Sequence, residues 1–269
     1  MSALDYRFRP SMADVAPLLA NERIETFTKQ ELNAMIETAH GLKVKVAAHC
    51  TGLRCLDLLK GTGGLERVDS VEHAHALSNA MVASKEVETG IQEGHERTVG
   101  RVSTWVPTLS VYYTLGTDTT AWAQAAKSFQ GVLKMGDIPF NIACGGDTGV
   151  FAHGDNALEM KLMVRLGADW RKVLSWGTRG GWECIRSLRW EGEEGEERLA
   201  KVEEMGEDAR IVGDNEVPFG AIRKGFAADL IATTGDLEAD FEGAVDKGSI
   251  SFVMKGGRLY KLNGAELVN

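Results

Sequence analysis

The chain has 269 residues, of which 43% are hydrophobic and 26% are charged, a composition typical of a soluble globular protein that can bury a sizeable core. Its formal net charge is −9, and no basic stripe is present to neutralise phosphates, which argues against a nucleic-acid partner. The sequence shows no signal peptide and no apolar run of membrane-spanning length, so we expect a cytoplasmic protein with no membrane contact.

The cysteines give no sign of a metal ribbon or of secretion. Their spacing does not match a zinc ribbon, and a cytoplasmic environment keeps thiols reduced. We therefore predict free thiols at all four positions, Cys50, Cys55, Cys144 and Cys184.

In chain order, the first predicted element is a helix. Residues 1–26 carry no motif and are predicted to be irregular. Thr28 and Glu31 then have the spacing of a capping box, in which each side chain satisfies the other's free backbone N–H group. Apolar residues follow at helical spacing up to Gly41, which predicts a helix over residues 29–40.

Four short strand-like runs follow, and helical patterns alternate with them. The runs cover residues 44–50 (V-K-V-A-A-H-C), 68–73 (V-D-S-V-E-H), 102–109 (V-S-T-W-V-P-T-L) and 138–144 (I-P-F-N-I-A-C). Helical patterns cover residues 53–59, 78–90, 119–135, 156–166, 170–176 and 180–188, with Asp118 placed to cap the third of them. This alternation predicts parallel βα units. From pattern alone, four such units suit either half of an eight-stranded barrel or a small open sheet.

Side chains that bind metals follow three of these strands. His49 and His73 each end an apolar run, where either can be a buried core histidine or a ligand at the edge on which α/β folds build active sites. His75 completes an H-A-H triplet, which can share a metal if the backbone is extended. Asp147, in G-G-D-T-G, can hold a metal, accept a proton from water or cap the next helix. His153 follows on the same loop and could reach a substrate.

The last third of the chain changes in character. Residues 191–210 contain nine acidic and three basic side chains, which predicts a solvated face or a mobile loop rather than a calcium or basic-partner site. Short β-rich runs with turn glycines then cover residues 221–234 and 249–262. We interpret them as a small β appendage without a helix.

Taken in order, these segments resemble the amidohydrolase superfamily, in particular its imidazolonepropionase-like and Xaa-Pro/Xaa-Arg dipeptidase-like branch. The resemblance runs from about residue 27 to residue 260, with the acidic segment as an insertion. It rests on the order and spacing of F-T-K-Q-E-L-N-A-M-I-E-T-A-H, V-A-A-H-C, V-D-S-V-E-H, W-V-P-T-L, G-G-D-T-G-V-F-A-H-G, N-A-L-E-M, F-G-A-I-R-K-G-F-A-A-D-L-I-A-T and V-M-K-G-G-R-L-Y.

The resemblance implies an α/β fold, namely the C-terminal half of a metal-dependent hydrolase TIM (β/α)8 barrel plus part of a small β-sandwich. It implies four segments in chain order. Residues 1–26 are irregular, residues 27–190 form strands five to eight of the barrel, residues 191–215 are the acidic insertion and residues 216–269 belong to the sandwich.

The family also implies roles for individual residues. His49 and His73 match the metal-binding histidines after its fifth and sixth strands. Asp147 matches the aspartate after the eighth strand, which binds metal and acts as the catalytic base toward the metal-bound water. His153 matches a substrate-contacting position, and His75 is a second candidate for substrate binding. The expected chemistry is hydrolysis of a C–N bond in a small amide, cyclic amide or dipeptide-like substrate, with one divalent metal, expected to be zinc.

The sequence departs from the family in its first half. The family's first-strand histidine–x–histidine pair and fourth-strand lysine have no counterpart here, and Lys43 and Lys45 are poor substitutes. The alternative is therefore a truncated, non-catalytic half-protein. Because half a barrel leaves two sheet edges open, we expect a homo-oligomer or a complementing N-terminal half.

Overall fold

A computed structural model describes residues 4–6, 27–50, 55–62, 64–75, 77, 102–135, 138, 140–202 and 217–267. Within these ranges five strands form one sheet in chain order, and each pairs in parallel with the next. The parallel pairing confirms the predicted βα units, and it places the carboxyl ends of all five strands on one edge of the sheet. The strands are β1 Leu4–Tyr6, β2 Val46–Cys50, β3 Ser70–His73, β4 Thr104–Val106 and β5 Asn141–Ile142.

Helix α1, Lys29–Gly41, starts with the predicted capping box. The Glu31 backbone N–H donates to Thr28 Oγ1 at 3.2 Å, and the Thr28 N–H donates to Glu31 Oε2 at 2.9 Å. The other helices of this part agree with the predicted pattern, with two exceptions. No helix was predicted over Leu109–Leu115, whose first residue ended a predicted strand, and the helix predicted over 78–90 lies outside the described residues. The helices that follow α1 are α2 Cys55–Lys60, α3 Leu109–Leu115, α4 Thr120–Leu133, α5 Ala157–Arg165, α6 Trp170–Gly177 and α7 Arg179–Ile185.

The hydrophobic core lies between the sheet and these helices. One cluster of buried side chains joins alternate residues of the strands to the apolar faces of α1, α2, α4 and α5. Its members include Val46, Ala48, Val71, Ile36, Leu59, Phe129 and Leu162. Among the described residues, no helix is both long and apolar enough to cross a membrane.

Three further local predictions for this part of the chain are wrong. Residues Leu4–Tyr6 form β1 in a segment that we expected to be irregular, because they pair with β2. Thr119 caps α4 instead of Asp118, since its extended backbone (φ −79°, ψ 147°) lets its hydroxyl accept from the Trp122 N–H at 3.2 Å.

The third correction concerns the thiols. Cys50 and Cys55 form a disulfide, because the end of β2 and the start of α2 bring their Cα atoms to 5.7 Å, within bridging distance. Cys144 and Cys184 are free, as predicted.

A second, antiparallel sheet follows, which confirms the predicted β-rich appendage. Its strands are β6 Leu230–Thr233, β7 Ile250–Lys255, β8 Arg258–Leu262 and β9 Ala265–Glu266, and a short helix α9, Phe241–Ala244, stands where none was expected. Arg165 of α5 donates to Glu242 of α9 at 2.8 Å, and Lys161 pairs with Asp246. These contacts tie the second sheet to the first part of the chain.

The described part of the acidic segment forms the solvated face that we predicted, with the exception of Glu191. Residues Gly192–Lys201 form helix α8, and its glutamates at 193, 194, 196 and 197 are exposed, whereas residues 203–216 lie outside the described ranges. Glu191 differs because its carboxylate accepts from Arg186 Nε at 3.0 Å and lies 2.7 Å from Lys45 Nζ. Burial raises the pKa of Glu191, but the bonds from Arg186 and Lys45 outweigh burial and bring this pKa below its ordinary value.

Lys45 is therefore a structural residue. Its ammonium also donates to the Glu183 carbonyl at the end of α7, at 2.6 Å, where a cation suits the helix dipole. It lies one residue before β2, at the edge of the sheet opposite the carboxyl ends. Lys45 thus joins α7 and the start of the acidic segment to the first sheet. Its position agrees with the expectation that Lys45 is a poor substitute for the family's metal-binding lysine.

We predict that Glu191→Gln lowers the free energy of unfolding by about 2 kcal/mol, because it leaves two half-buried cations without their counter-charge. Urea unfolding measures this change. Glu193→Gln on the exposed face of α8 is the matched control and should change the free energy by less than about 0.5 kcal/mol. Equal effects of the two substitutions would contradict the structural role of Glu191.

Candidate functional site

The candidate site lies at the carboxyl ends of β2 to β5. Cys50 pairs with His73 in the parallel register of β2 and β3, so His49 lies beside the end of β3. The ring centroids of His49 and His73 are 4.4 Å apart, with the rings at 68° to each other. The structure thus brings together the two histidines that the sequence singled out.

Backbone strain marks the same edge. His73, Ala74, Thr108 and Asp147 have φ values of 72°, 48°, 51° and 54°. These left-handed conformations cost non-glycine residues about 1–3 kcal/mol each and concentrate at functional sites. The four residues end or follow three successive strands, β3, β4 and β5, so the strained positions lie along the rim of the sheet.

Thr108 fixes the protonation of His73. Its Oγ1 is 2.6 Å from His73 Nδ1, and the same hydroxyl donates its only proton to the Pro107 carbonyl at 2.8 Å. It must therefore accept from His73, so we assign the proton of this imidazole to Nδ1. The lone pair of Nε2 is then free to bind a metal, the arrangement in which a partner on one ring nitrogen orients the other.

The surroundings of His73 keep it neutral. Burial lowers the pKa of His73, and the nearby His49 lowers it further, to about 4, although the Asp147 carboxylate acts in the opposite direction. A neutral imidazole is the form that binds metals. Near neutral pH, no proton therefore has to leave His73 before a metal binds.

His75 is not a second ligand beside His73. The prediction of a shared metal assumed an extended backbone, but the left-handed conformations of His73 and Ala74 end the strand there. His75 Nδ1 instead lies 3.3 Å from the Tyr112 hydroxyl, and burial lowers the pKa of His75. Burial and then Asp147 raise the pKa of Tyr112, so its phenol stays protonated beside the site.

Asp147 is exposed on the loop that follows β5 and acts on His73 and Tyr112 through its charge. The possibility that it caps the next helix is wrong, because α5 begins after Asn156. His153 is exposed on the same loop. In the described part of the chain, no three His, Cys, Asp or Glu side chains are grouped as a metal site. Two histidines of the right kind are therefore assembled, and the carboxylate lies nearby.

The two glycines before Asp147 are required by close packing. A Cβ atom on Gly145 would lie 2.5 Å from Val106 Cγ1, and one on Gly146 would lie 2.6 Å from Phe151 Cζ. The close neighbours of these two glycines are thus β4 and the loop itself. Glycine thus lets the loop cross over the end of β4 and carry Asp147 to the rim.

Below the rim, the sheet borders a cavity of about 270 Å³. Lys45 and Ala47 line it and share a face of β2 with His49, because alternate residues of a strand point the same way. Glu72 also lines it and accepts from Ser70 Oγ at 2.7 Å. This cavity continues the histidine-bearing face toward α7.

Sequence reasoning missed Thr108 and Tyr112. Thr108 comes just after the carboxyl end of β4, and His73 is the last residue of the neighbouring β3. The position of Thr108 directly after W-V-P was therefore the only hint in the sequence that it lies near the site. Its contact with His73 spans 35 positions, and a single sequence does not show such a pairing.

No family model and no curated protein matches the chain. Solved structures do resemble it. A Xaa-Pro dipeptidase with bound methionine in the active site has 21% identity and a TM-score of 0.58 over 90% of this chain and 50% of that one. The ochratoxinase of A. niger has 20% identity and a TM-score of 0.57 over 88% and 46%. An amidohydrolase has 18% identity and a TM-score of 0.54 over 88% and 49%.

The chain shares the fold of part of these solved structures. It spans about half the length of these proteins. The resemblance drawn from the motifs is thus confirmed at the level of the fold, and the parallel sheet is consistent with part of a TIM barrel.

His73 makes the stability of the metal-free protein depend on pH. Between pH 6.5 and about 4, the unfolded chain takes up a proton at this residue and the folded chain does not. Stability is therefore complete above pH 6.5 and falls below it, by up to about 3 kcal/mol at this residue. Urea unfolding across this range, with a chelator present, should show a shallower loss in His73→Gln than in the wild type.

His153→Gln, which changes an exposed histidine of the same region, is the control and should keep the wild-type dependence. If His73→Gln and the wild type lose stability equally as pH falls, the assigned burial of a neutral His73 is wrong.

Proposed function

We propose that the chain acts as a metal-dependent amidohydrolase that hydrolyses the C–N bond of a small amide or dipeptide-like substrate. The observation that carries this proposal is the pair of adjacent imidazoles, His49 and His73, with the lone pair of His73 on Nε2, at the strained carboxyl rim of the sheet. The dipeptidase and ochratoxinase that share the fold support the choice of substrate class.

His49 and His73 would hold one divalent metal, with zinc as the first candidate. Zinc sites in proteins normally take three or four ligands, and Asp147 is the third ligand in this proposal. When bound, such a metal supplies a water of lowered pKa and polarises the scissile carbonyl. The donors fit zinc in kind, since imidazole and carboxylate groups are common zinc ligands.

The chain's own residues would contribute the remaining steps. Asp147 would take a proton from the attacking water, because its carboxylate is exposed at the rim and already acts on His73 and Tyr112. His153, on the same loop, and His75, beside the Tyr112 hydroxyl, would contact the substrate. Burial of the Tyr112 ring and of His73 would limit the access of water on that side.

A second candidate is a half-protein that acts through assembly. The cavity of about 270 Å³ on the histidine-bearing face favours it, because a partner could cover this face. That partner would be a second copy of the chain or a complementing N-terminal half. The two candidates are compatible if the partner completes the metal site.

A zinc titration with a matched set of variants tests the first candidate. His49→Ala with His73→Ala should abolish high-affinity zinc binding, because both imidazole ligands are removed. Asp147→Asn should lower turnover by about 10²–10⁴-fold, the contribution of a positioned proton acceptor. Zinc binding is measured by competition with a chromogenic chelator, and turnover on a panel of dipeptides and N-acyl amino acids.

His40→Gln is the control, because this histidine contacts Asp69 at 2.8 Å near the amino end of β3. It should leave zinc binding unchanged. Zinc binding that survives the double substitution would refute the assigned ligands. An assembled protein with added zinc and no turnover on the whole panel would favour the second candidate.

A further inference from the structure

We infer that Glu159 is a positioning residue for the candidate site, because it holds the turn that presents Thr108 to His73. This inference rests on the proposed function for its biological meaning, but the contacts that carry it are independent of any metal. It assigns a task to a fully buried carboxylate of α5 that lies apart from the proposed ligands.

Glu159 caps a different helix from its own. Its Oε1 accepts from the Leu109 N–H at 3.0 Å, and its Oε2 accepts from the Ser110 N–H and the Ser110 hydroxyl, both at 2.8 Å. Leu109 and Ser110 are the first two residues of α3, whose N–H groups have no partner within that helix. The carboxylate thus fixes the first turn of α3 to α5.

This cap releases the hydroxyl of Thr108. A threonine directly before a helix ordinarily caps it, and Thr28 and Thr119 do so at the starts of α1 and α4. Thr108 stands in the same position before α3 and forms no such bond. Its hydroxyl is instead held between the Pro107 carbonyl and His73 Nδ1.

The left-handed backbone of Thr108 requires support of this kind. A φ of 51° is unfavourable for a β-branched residue and persists only where the surroundings enforce it. Glu159 holds the two residues that follow Thr108, and the pairing of β4 within the sheet holds the backbone that precedes it. The same turn begins the helix that places Tyr112 beside His75, so Glu159 sets two groups of the rim at once.

Burying this carboxylate is unfavourable by itself. Burial raises the pKa of Glu159 to about 7, although the bonds from Ser110 and Leu109 oppose the change. A threonine cap would satisfy the helix without a buried acid. The use of Glu159 therefore fits a requirement for the Thr108 hydroxyl elsewhere, at His73.

The test compares Glu159→Gln with Thr108→Val in the full chain. In the metal-free protein at one fixed pH, the imidazole ¹⁵N shifts of His73 should move away from the Nδ1–H tautomer in both variants. Thr108→Ser should restore the wild-type shifts, because it keeps the hydroxyl. Asp69→Asn is the matched control, since Asp69 is also a buried carboxylate that accepts from a backbone N–H, that of Val46 at 2.8 Å, near the opposite edge.

Co²⁺ binding gives a second measurement. The dissociation constant for Co²⁺ should rise about 10–100-fold in each variant, the usual effect of losing a group that orients a ligand. In the double variant it should rise no further, because both substitutions break one chain of contacts. Asp69→Asn should bind Co²⁺ as the wild type does.

Unchanged His73 shifts in a folded Glu159→Gln variant would overturn the inference, and so would additive losses in the double variant. If Glu159→Gln does not fold, Ser110→Ala removes one of the three bonds. A smaller shift in the same direction then supports the inference, and no shift overturns it. Absence of Co²⁺ binding in the wild type would refute the proposed function alone, because the shifts of the metal-free protein still decide the role of Glu159.

Discussion

The site depends on the parallel pairing of β2 with β3. That register pairs Cys50 with His73 and His49 with Glu72, so regular alternation would place the two histidines on opposite faces of the sheet. The left-handed backbone of His73 interrupts this alternation, and the rings of His49 and His73 lie 4.4 Å apart. The left-handed turn at His73 then directs Nδ1 to the Thr108 hydroxyl, which leaves Nε2 as the free nitrogen.

The two edges of the sheet have different tasks. At the amino edge, Asp69 binds the backbone of β2 and the ring of His40, and Lys45 joins α7 to Glu191. These contacts stabilise the amino edge, away from the histidine pair. At the carboxyl edge lie the strained residues and the histidines. Parallel α/β folds commonly divide stability and function in this way.

Much of the sheet could be predicted from the sequence, because short apolar runs that alternate with helical patterns indicate buried parallel strands. The contacts of Thr108 and Glu159 could not be predicted. They join positions 35 and 49–50 apart, and their side chains look ordinary in their own segments. The partly buried position of Glu191 could not be predicted either, because a run of acidic residues does not show which of them pairs with Lys45.

The central claim is that His49 and His73 bind one metal through imidazole nitrogen. X-ray absorption at the zinc edge of the zinc-loaded full chain tests it most directly. The claim predicts two imidazole ligands with Zn–N distances of about 2.0–2.1 Å, completed by oxygen atoms. A spectrum that fits oxygen ligands alone, or thiolate sulfur in place of imidazole, would contradict it.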